Sequence, residues 1–176
     1  LFVKDACARA GFDQTIFADD LHAFREVEAS MDNAVLLGQA DGCQVQVHSW
    51  GVANGVGFEP TKESKHVLSR WDPAGGNFPL LGITFDVKLT MEAEVATLVG
   101  ECSWRVTQLL CAGSFFDVEH LILLYKQQMS SYLEYRAAAI YHAADSILYP
   151  LDAVQRRVLR AARISELDAL IHFKLA

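Results

Sequence analysis

The chain has 176 residues, 52% of them hydrophobic and 21% charged, enough apolar material for one compact domain or one and a half with a buried core. That balance excludes a disordered tail, a collagen-like fibre and a disulfide miniprotein, and no apolar run approaches the ~20 residues that cross a bilayer. The net charge of −7 argues against a surface that grips nucleic acid all over, so any such contact has to be local.

Residues 14–25 read as two short strands around a tight turn: Thr15, Ile16 and Phe17 favour a strand, an acidic pair interrupts, and Leu21 and Phe24 resume. Residues 26–53 then read as a helix with Val27, Met31, Ala34 and Val35 on one face, continued by Cys43, Val47 and Trp50. Gly38 and Gly42 each weaken that helix by about 1 kcal/mol relative to alanine, and Asn54-Gly55 ends it. Val56 to Phe58 and His66 to Ser69 are expected as strands on either side of Glu59-Pro60-Thr61-Lys62, and residues 72–77 as a turn cluster. Phe78 to Phe85 is expected as an apolar strand pair broken at Gly82.

From Thr90 the apolar period becomes helical. Met91, Val95, Leu98, Cys102 and Val106 follow steps of three and four, and Gly113 closes the segment. Asp117 is the expected N-cap of a second helix carrying Leu121, Leu124, Tyr125 and Met129. Further helices fit Leu151 to Ala162 and Glu166 to Lys174. The expected fold is α+β: a hairpin, a helix and short antiparallel strands over 1–89, then a helical bundle over 90–176.

Cys7, Cys43, Cys102 and Cys111 show neither a CxxC pair nor a disulfide rhythm and read as reduced, mostly buried thiols of an intracellular protein. Cys43 and His48 have the spacing of half a zinc site, without a second half. Trp104, Tyr132, Tyr135 and Tyr141 fall at helical spacing and read as core residues in preference to stacking platforms. Arg156, Arg160 and Arg163 recur on one helical face with Arg157 beside them, opposite Leu151, Val154, Val158 and Ala161; that face is either solvated or a phosphate-binding surface.

The most informative stretch is Phe17-Ala18-Asp19-Asp20. A tight hairpin prefers Asn-Gly or Asp-Gly at its tip. Two carboxylates about 4 Å apart repel by up to ~4 kcal/mol at an effective dielectric of 20, a cost that a divalent cation reverses.

Set between two apolar strands, this box resembles the (Tyr/Phe)-Ala-Asp-Asp motif of reverse transcriptases of non-LTR (LINE-type) retrotransposons. Gly57-Phe58-Glu59-Pro60-Thr61-Lys62-Glu63 resembles the next block of that family, and Leu80-Leu81-Gly82-Ile83 its following turn. Residues 131–135 and 151–160 resemble the helical region behind the palm. The resemblance implies a C-terminal palm segment over 1–89 and a thumb-like region over 90–176. It implies an RNA-directed DNA polymerase joining dNTPs to a primer 3′-hydroxyl, with Mg²⁺ (or Mn²⁺), an RNA template and a DNA primer as partners.

Residue by residue, the resemblance makes Asp19 a metal ligand and Asp20 its supporting partner. Lys62 would stand near the leaving pyrophosphate, with Lys65 as a competing candidate. Leu81 and Gly82 would steady the primer end, and Arg156, Arg157, Arg160 and Arg163 would touch nucleic acid. Glu59 and Glu63 depart from the family pattern, which has Asn and Thr there in many members. Only 18 residues precede Asp19, and neither Asp5 nor Asp13 replaces the further metal-binding aspartate that the family carries upstream. The chain, opening at Leu1 and stopping after Phe173-Lys174-Leu175-Ala176, therefore reads as a piece of something longer that does not polymerise DNA alone. The alternatives are a retroelement remnant that only binds nucleic acid or protein, and an unrelated α+β protein with an acidic turn.

Overall fold

The computed structural model describes residues 11–17 and 20–173. The chain divides into two compact units, Leu1–Gly76 and Asn77–Ala176, so the hairpin at Phe78–Phe85 belongs with the helices that follow it. The fold is mixed α+β with two small antiparallel sheets.

In the first unit, β1 (Asp13–Phe17) and β2 (Asp20–Phe24) pair antiparallel from Asp13↔Phe24 to Phe17↔Asp20, the hairpin that the apolar pattern predicts. Helix α1 spans Asn33–Asn54, not the whole of 26–53. Asp32 sets its start: extended at φ −67°, its carboxylate accepts the Ala34 N–H at 2.6 Å and so satisfies one of the free donors of the first turn. Val27 and Met31 thus lie outside the helix, and Val27 is exposed. At the other end Gly55 adopts φ +70°, a left-handed cap that suits glycine, and Val56 N–H donates to the Gly51 carbonyl at 2.8 Å.

One face of α1 buries Cys43 and Val47 beneath Phe12, Leu21, Trp50 and Phe58. Gly51 permits the returning chain to lie that close. A Cβ there would stand 2.6 Å from the Val56 carbonyl oxygen and 2.7 Å from the Phe58 ring. The strands expected at 56–58 and 66–69 do not form. Pro60–Lys62 makes a single 3₁₀ turn, and Val67 pairs with Ala74 in an isolated bridge. These runs are short and have no neighbouring strand to satisfy their backbone, so the sequence preference alone does not build a ladder.

In the second unit, β3 (Phe78–Leu80) and β4 (Ile83–Phe85) form the expected hairpin. Leu81 (φ +49°) and Gly82 (φ +75°) both have positive φ, the signature of a type I′ turn, whose twist matches that of the strands. Asp86 then organises the entry to α2 (Glu92–Ala112): its carboxylate accepts the Thr90 N–H at 3.0 Å, the Thr90 hydroxyl at 3.1 Å and the Met91 N–H at 2.7 Å. The face Met91, Val95, Leu98, Cys102 and Val106 is buried as its spacing predicts.

Asp117 caps α3 (Val118–Tyr125), accepting the His120 N–H at 2.9 Å. The helix continues through a π segment at Lys126–Ser130 into α4 (Ser131–Ile140). Helix α5 runs from Asp145 to Ala162 and contains Pro150. It starts six residues before the predicted start because Pro150, one hydrogen bond short, is held in place by Ile147, Leu148 and Leu151 packing on the core. Ala162, rather than Ala161, faces inward. Ser165 caps the short α6 (Glu166–Ile171), accepting the Asp168 N–H at 3.0 Å.

Helices α2, α3 and α5 enclose a continuous core of Leu98, Val106, Ile122, Tyr125, Met129 and Val158. Tyr125 lies at its centre, and burial, with a smaller contribution from the Cys102 thiol, pushes its phenol up to about 12. The hydroxyl is satisfied by donating to Gln155 Oε1 at 3.3 Å. Cys43 and Cys102 are buried free thiols, Cys111 is an exposed one, and Cys7 lies outside the described residues. Among the described residues no helix is long and apolar enough to cross a membrane.

Leu98→Ala removes a side chain that is 1% exposed and should cost about 2–5 kcal/mol, read by thermal or chemical unfolding. Gly51→Ala should destabilise the first unit by about 1–3 kcal/mol through the clash with Val56 and Phe58. Hydrogen exchange should localise that second effect to α1 and the segment after it.

Candidate functional site

The β1–β2 pairing places Phe17 directly opposite Asp20, with two residues between them. Asp19 lies outside the described residues. Asp20 opens β2 and is exposed, and its carboxylate has no hydrogen bond or ion pair among the described residues. Asp13 stands at the far end of the same hairpin, opposite Phe24. No three His, Cys, Asp or Glu side chains among the described residues are grouped to hold a metal ion. The free Asp20 carboxylate fits one ligand of a shared Mg²⁺, whose remaining oxygen positions would need Asp19, a phosphate and further groups.

Lys62 ends the 3₁₀ turn with its ammonium 2.8 Å from Glu59 and well exposed. Hydrogen bonds from Lys62 first and Thr61 second hold the Glu59 carboxyl below its ordinary range. The two glutamates that flank this lysine have local roles. Glu59 pairs with Lys62, and Glu63 accepts from Gln44 and lies 2.7 Å from His48 Nε2, tying this block to α1. Lys65 pairs with Asp41.

The four arginines do not act as one surface. Arg156 pairs with Glu166 at 3.1 Å and lies over the Tyr149 ring; Arg157 donates to the Thr107 hydroxyl at 3.1 Å. Arg160 and Arg163 are exposed without an ion pair among the described residues, but Arg163 lies past the helix, capping it at φ +56°. Leu81 and Gly82 form the β3–β4 turn, and the Leu81 carbonyl accepts the Tyr135 hydroxyl at 2.7 Å.

The second unit also carries an opening that helical spacing conceals. An open groove of about 680 Å³ runs between α2 and the π segment that leads into α4. Of the aromatic residues read as core, Trp104, Tyr132 and Tyr135 line it, and Tyr141 is exposed. Trp104 is 64% exposed, Tyr135 59% and Tyr141 77%. Only Tyr132 is half-buried, and its ring is clasped by two guanidinium groups, Arg105 at 4.2 Å and Arg136 at 4.1 Å from the ring centre. Cation–π contact of this kind immobilises both partners.

Beneath the groove lies Glu94, 4% exposed. Its Oε1 accepts from Arg136 Nε at 2.9 Å, and its Oε2 accepts the Thr84 N–H at 2.9 Å. Arg136 is therefore neutralised from within. Arg105 donates only to the Gln128 carbonyl at 3.4 Å and has no carboxylate partner among the described residues. The π segment supplies the exposed amides of Gln127 and Gln128, and Ser131 donates back to the Gln127 carbonyl at 2.9 Å. One sequence signal pointed here: Glu94 lies on the same helical stripe as Met91, Val95 and Leu98, where a charge survives only if paired.

Comparison with protein-family models, with curated proteins and with solved structures finds no match.

Glu94→Ala strands Arg136 and the Thr84 N–H and should cost about 3–5 kcal/mol, visible as a lowered unfolding midpoint. At Asp86, burial pushes the carboxyl up but the Thr90 and Met91 N–H donors outweigh it, so the net shift is downward. The folded value is thus below the unfolded one, and the contribution is complete above the unfolded value near 4 and lost as pH falls through the lower folded value. Asp86→Asn should therefore destabilise by about 1 kcal/mol at neutral pH, with the gap to wild type closing in acid denaturation below about pH 4.

Proposed function

We propose that this chain is the C-terminal palm and thumb-like part of a non-LTR retroelement RNA-directed DNA polymerase. The observation that carries the reading is an antiparallel hairpin whose register sets Phe17 against Asp20 and leaves the Asp20 carboxylate exposed, with no partner among the described residues, at the head of β2. A strand fixes such a carboxylate more firmly than a loop does, and repulsion from its neighbour favours a cation between the two.

In this reading Asp19 and Asp20 hold Mg²⁺, with Mn²⁺ as a substitute, and bound metal supplies charge stabilisation for nucleotidyl transfer from dNTPs to a primer 3′-hydroxyl on an RNA template. Lys62, on its exposed 3₁₀ turn, would have to exchange Glu59 for a phosphate. The type I′ turn at Leu81 and Gly82 gives a rigid backbone corner for a primer end, braced by Tyr135. Arg160 and Arg163 retain their charge for phosphates, whereas Arg156 and Arg157 would first give up Glu166 and Thr107. The 176 residues alone should not extend a primer, because two adjacent carboxylates leave the ion short of ligands.

Mn²⁺ titration followed by electron paramagnetic resonance tests the reading. The wild-type chain should bind at least one ion, more tightly with dNTP present. Asp19→Ala and Asp20→Ala should each weaken binding at least fivefold. Equal binding in wild type and both variants would overturn the proposal.

A further inference from the structure

The groove between α2 and the π segment combines features that recognise one ligand chemistry, and they do not depend on the acidic hairpin. Trp104 offers an exposed indole face on the outward side of α2, where burial would otherwise place such a large apolar group. Next to it, Arg105 carries a positive charge with no carboxylate partner among the described residues, held in position by the Tyr132 ring. Gln127 and Gln128 add amides that both donate and accept. The rigidity needed to present these groups is already in place: Arg136 also packs on the Tyr132 ring and is itself fixed by the buried Glu94. π segments inside α-helices occur often at functional sites, since the widened turn re-aims the side chains around it.

We infer that this groove binds single-stranded nucleic acid, with a base stacked on Trp104 and an adjacent phosphate on Arg105. Base–aromatic stacking next to a cation is how non-specific single-strand binders work, and it needs unpaired bases. A duplex hides its base faces and would leave the indole with nothing to stack on. An acidic peptide would satisfy Arg105 but give Trp104 no planar partner. The groove is open along its length, so a strand can lie in it without being enclosed. One such groove is also what a chain of net charge −7 permits, a local contact on an otherwise repelling surface.

Fluorescence anisotropy of a labelled eight-nucleotide single-stranded RNA against the full chain tests this. Trp104→Ala should weaken binding at least fivefold. Arg105→Gln should also weaken it and reduce the slope of log K against log salt by about 0.7, while Arg105→Lys restores the slope. The same sequence as a duplex should bind at least tenfold more weakly. Asp20→Ala should bind as wild type does, so loss of the groove and loss of the polymerase reading are separately visible. Trp104 is exposed, so its alanine variant should melt with the wild type, which keeps the test open if Arg105→Gln fails to fold. Undiminished binding by Trp104→Ala, equal binding of duplex, or competition by an acidic peptide as effective as by RNA would each overturn the inference.

Discussion

The second unit depends on one buried carboxylate. Glu94 is enclosed on the apolar side of α2, where an uncompensated charge would be prohibitive, and it is compensated from two directions. The Thr84 N–H comes from β4 and Arg136 from α4, so a single side chain fastens a two-stranded hairpin and two helices to one another. A hairpin of three-residue strands has too little surface to be stable by itself. It persists because Ile83 and Phe85 join the helical core, Glu94 takes a backbone donor from its edge, and Tyr135 holds its turn at Leu81. Everything on the outer side of that assembly inherits its rigidity. The Arg105–Tyr132–Arg136 stack is ordered because its last member is anchored beneath the surface.

This explains which parts of the molecule could be read from residue order. Where structure is decided within a few residues, the reading succeeds. The strands around Phe17 and Asp20, the Leu81-Gly82 corner, the Asp117 cap and the face Met91–Val106 follow from local propensity, turn chemistry and a period of 3.6. Where it is decided by a distant partner, the reading fails. The segment 56–69 has strand-like residues but no strand to pair with, and α1 begins at Asp32 because a cap there outweighs the apolar spacing of Val27 and Met31. The helix expected from Leu151 begins at Asp145, because packing of Ile147 and Leu148 carries it through Pro150.

The candidate sites divide along the same line. The hairpin that carries Asp20 was legible because its strand-forming residues lie on either side of a short acidic break. The groove was not, because Trp104, Tyr132 and Tyr135 have the spacing of core residues, and the residues that line the opening come from two separate helices and the π segment at Lys126–Ser130. A π insertion leaves no mark in a hydrophobic period. Tyr125, just before it, and Met129, within it, are buried, while Tyr135, beyond it, is exposed.

The distribution of charge decides how the two sites can be used. Lys62, Lys65, Arg136 and Arg156 each have an acidic partner, so their charge is largely balanced within the fold. Arg105, Arg160 and Arg163 have none among the described residues, and they are spread along one unit rather than gathered into a patch. With a total of −7, long-range attraction of polyanions is weak, and a nucleic acid would have to be held by contact. Contact binding requires faces that stack and amides that hydrogen-bond, which are the groups lining the α2–α4 groove. An acidic chain that handles nucleic acid should therefore rely more on aromatic surface, and less on salt-sensitive charge, than a basic one of the same size.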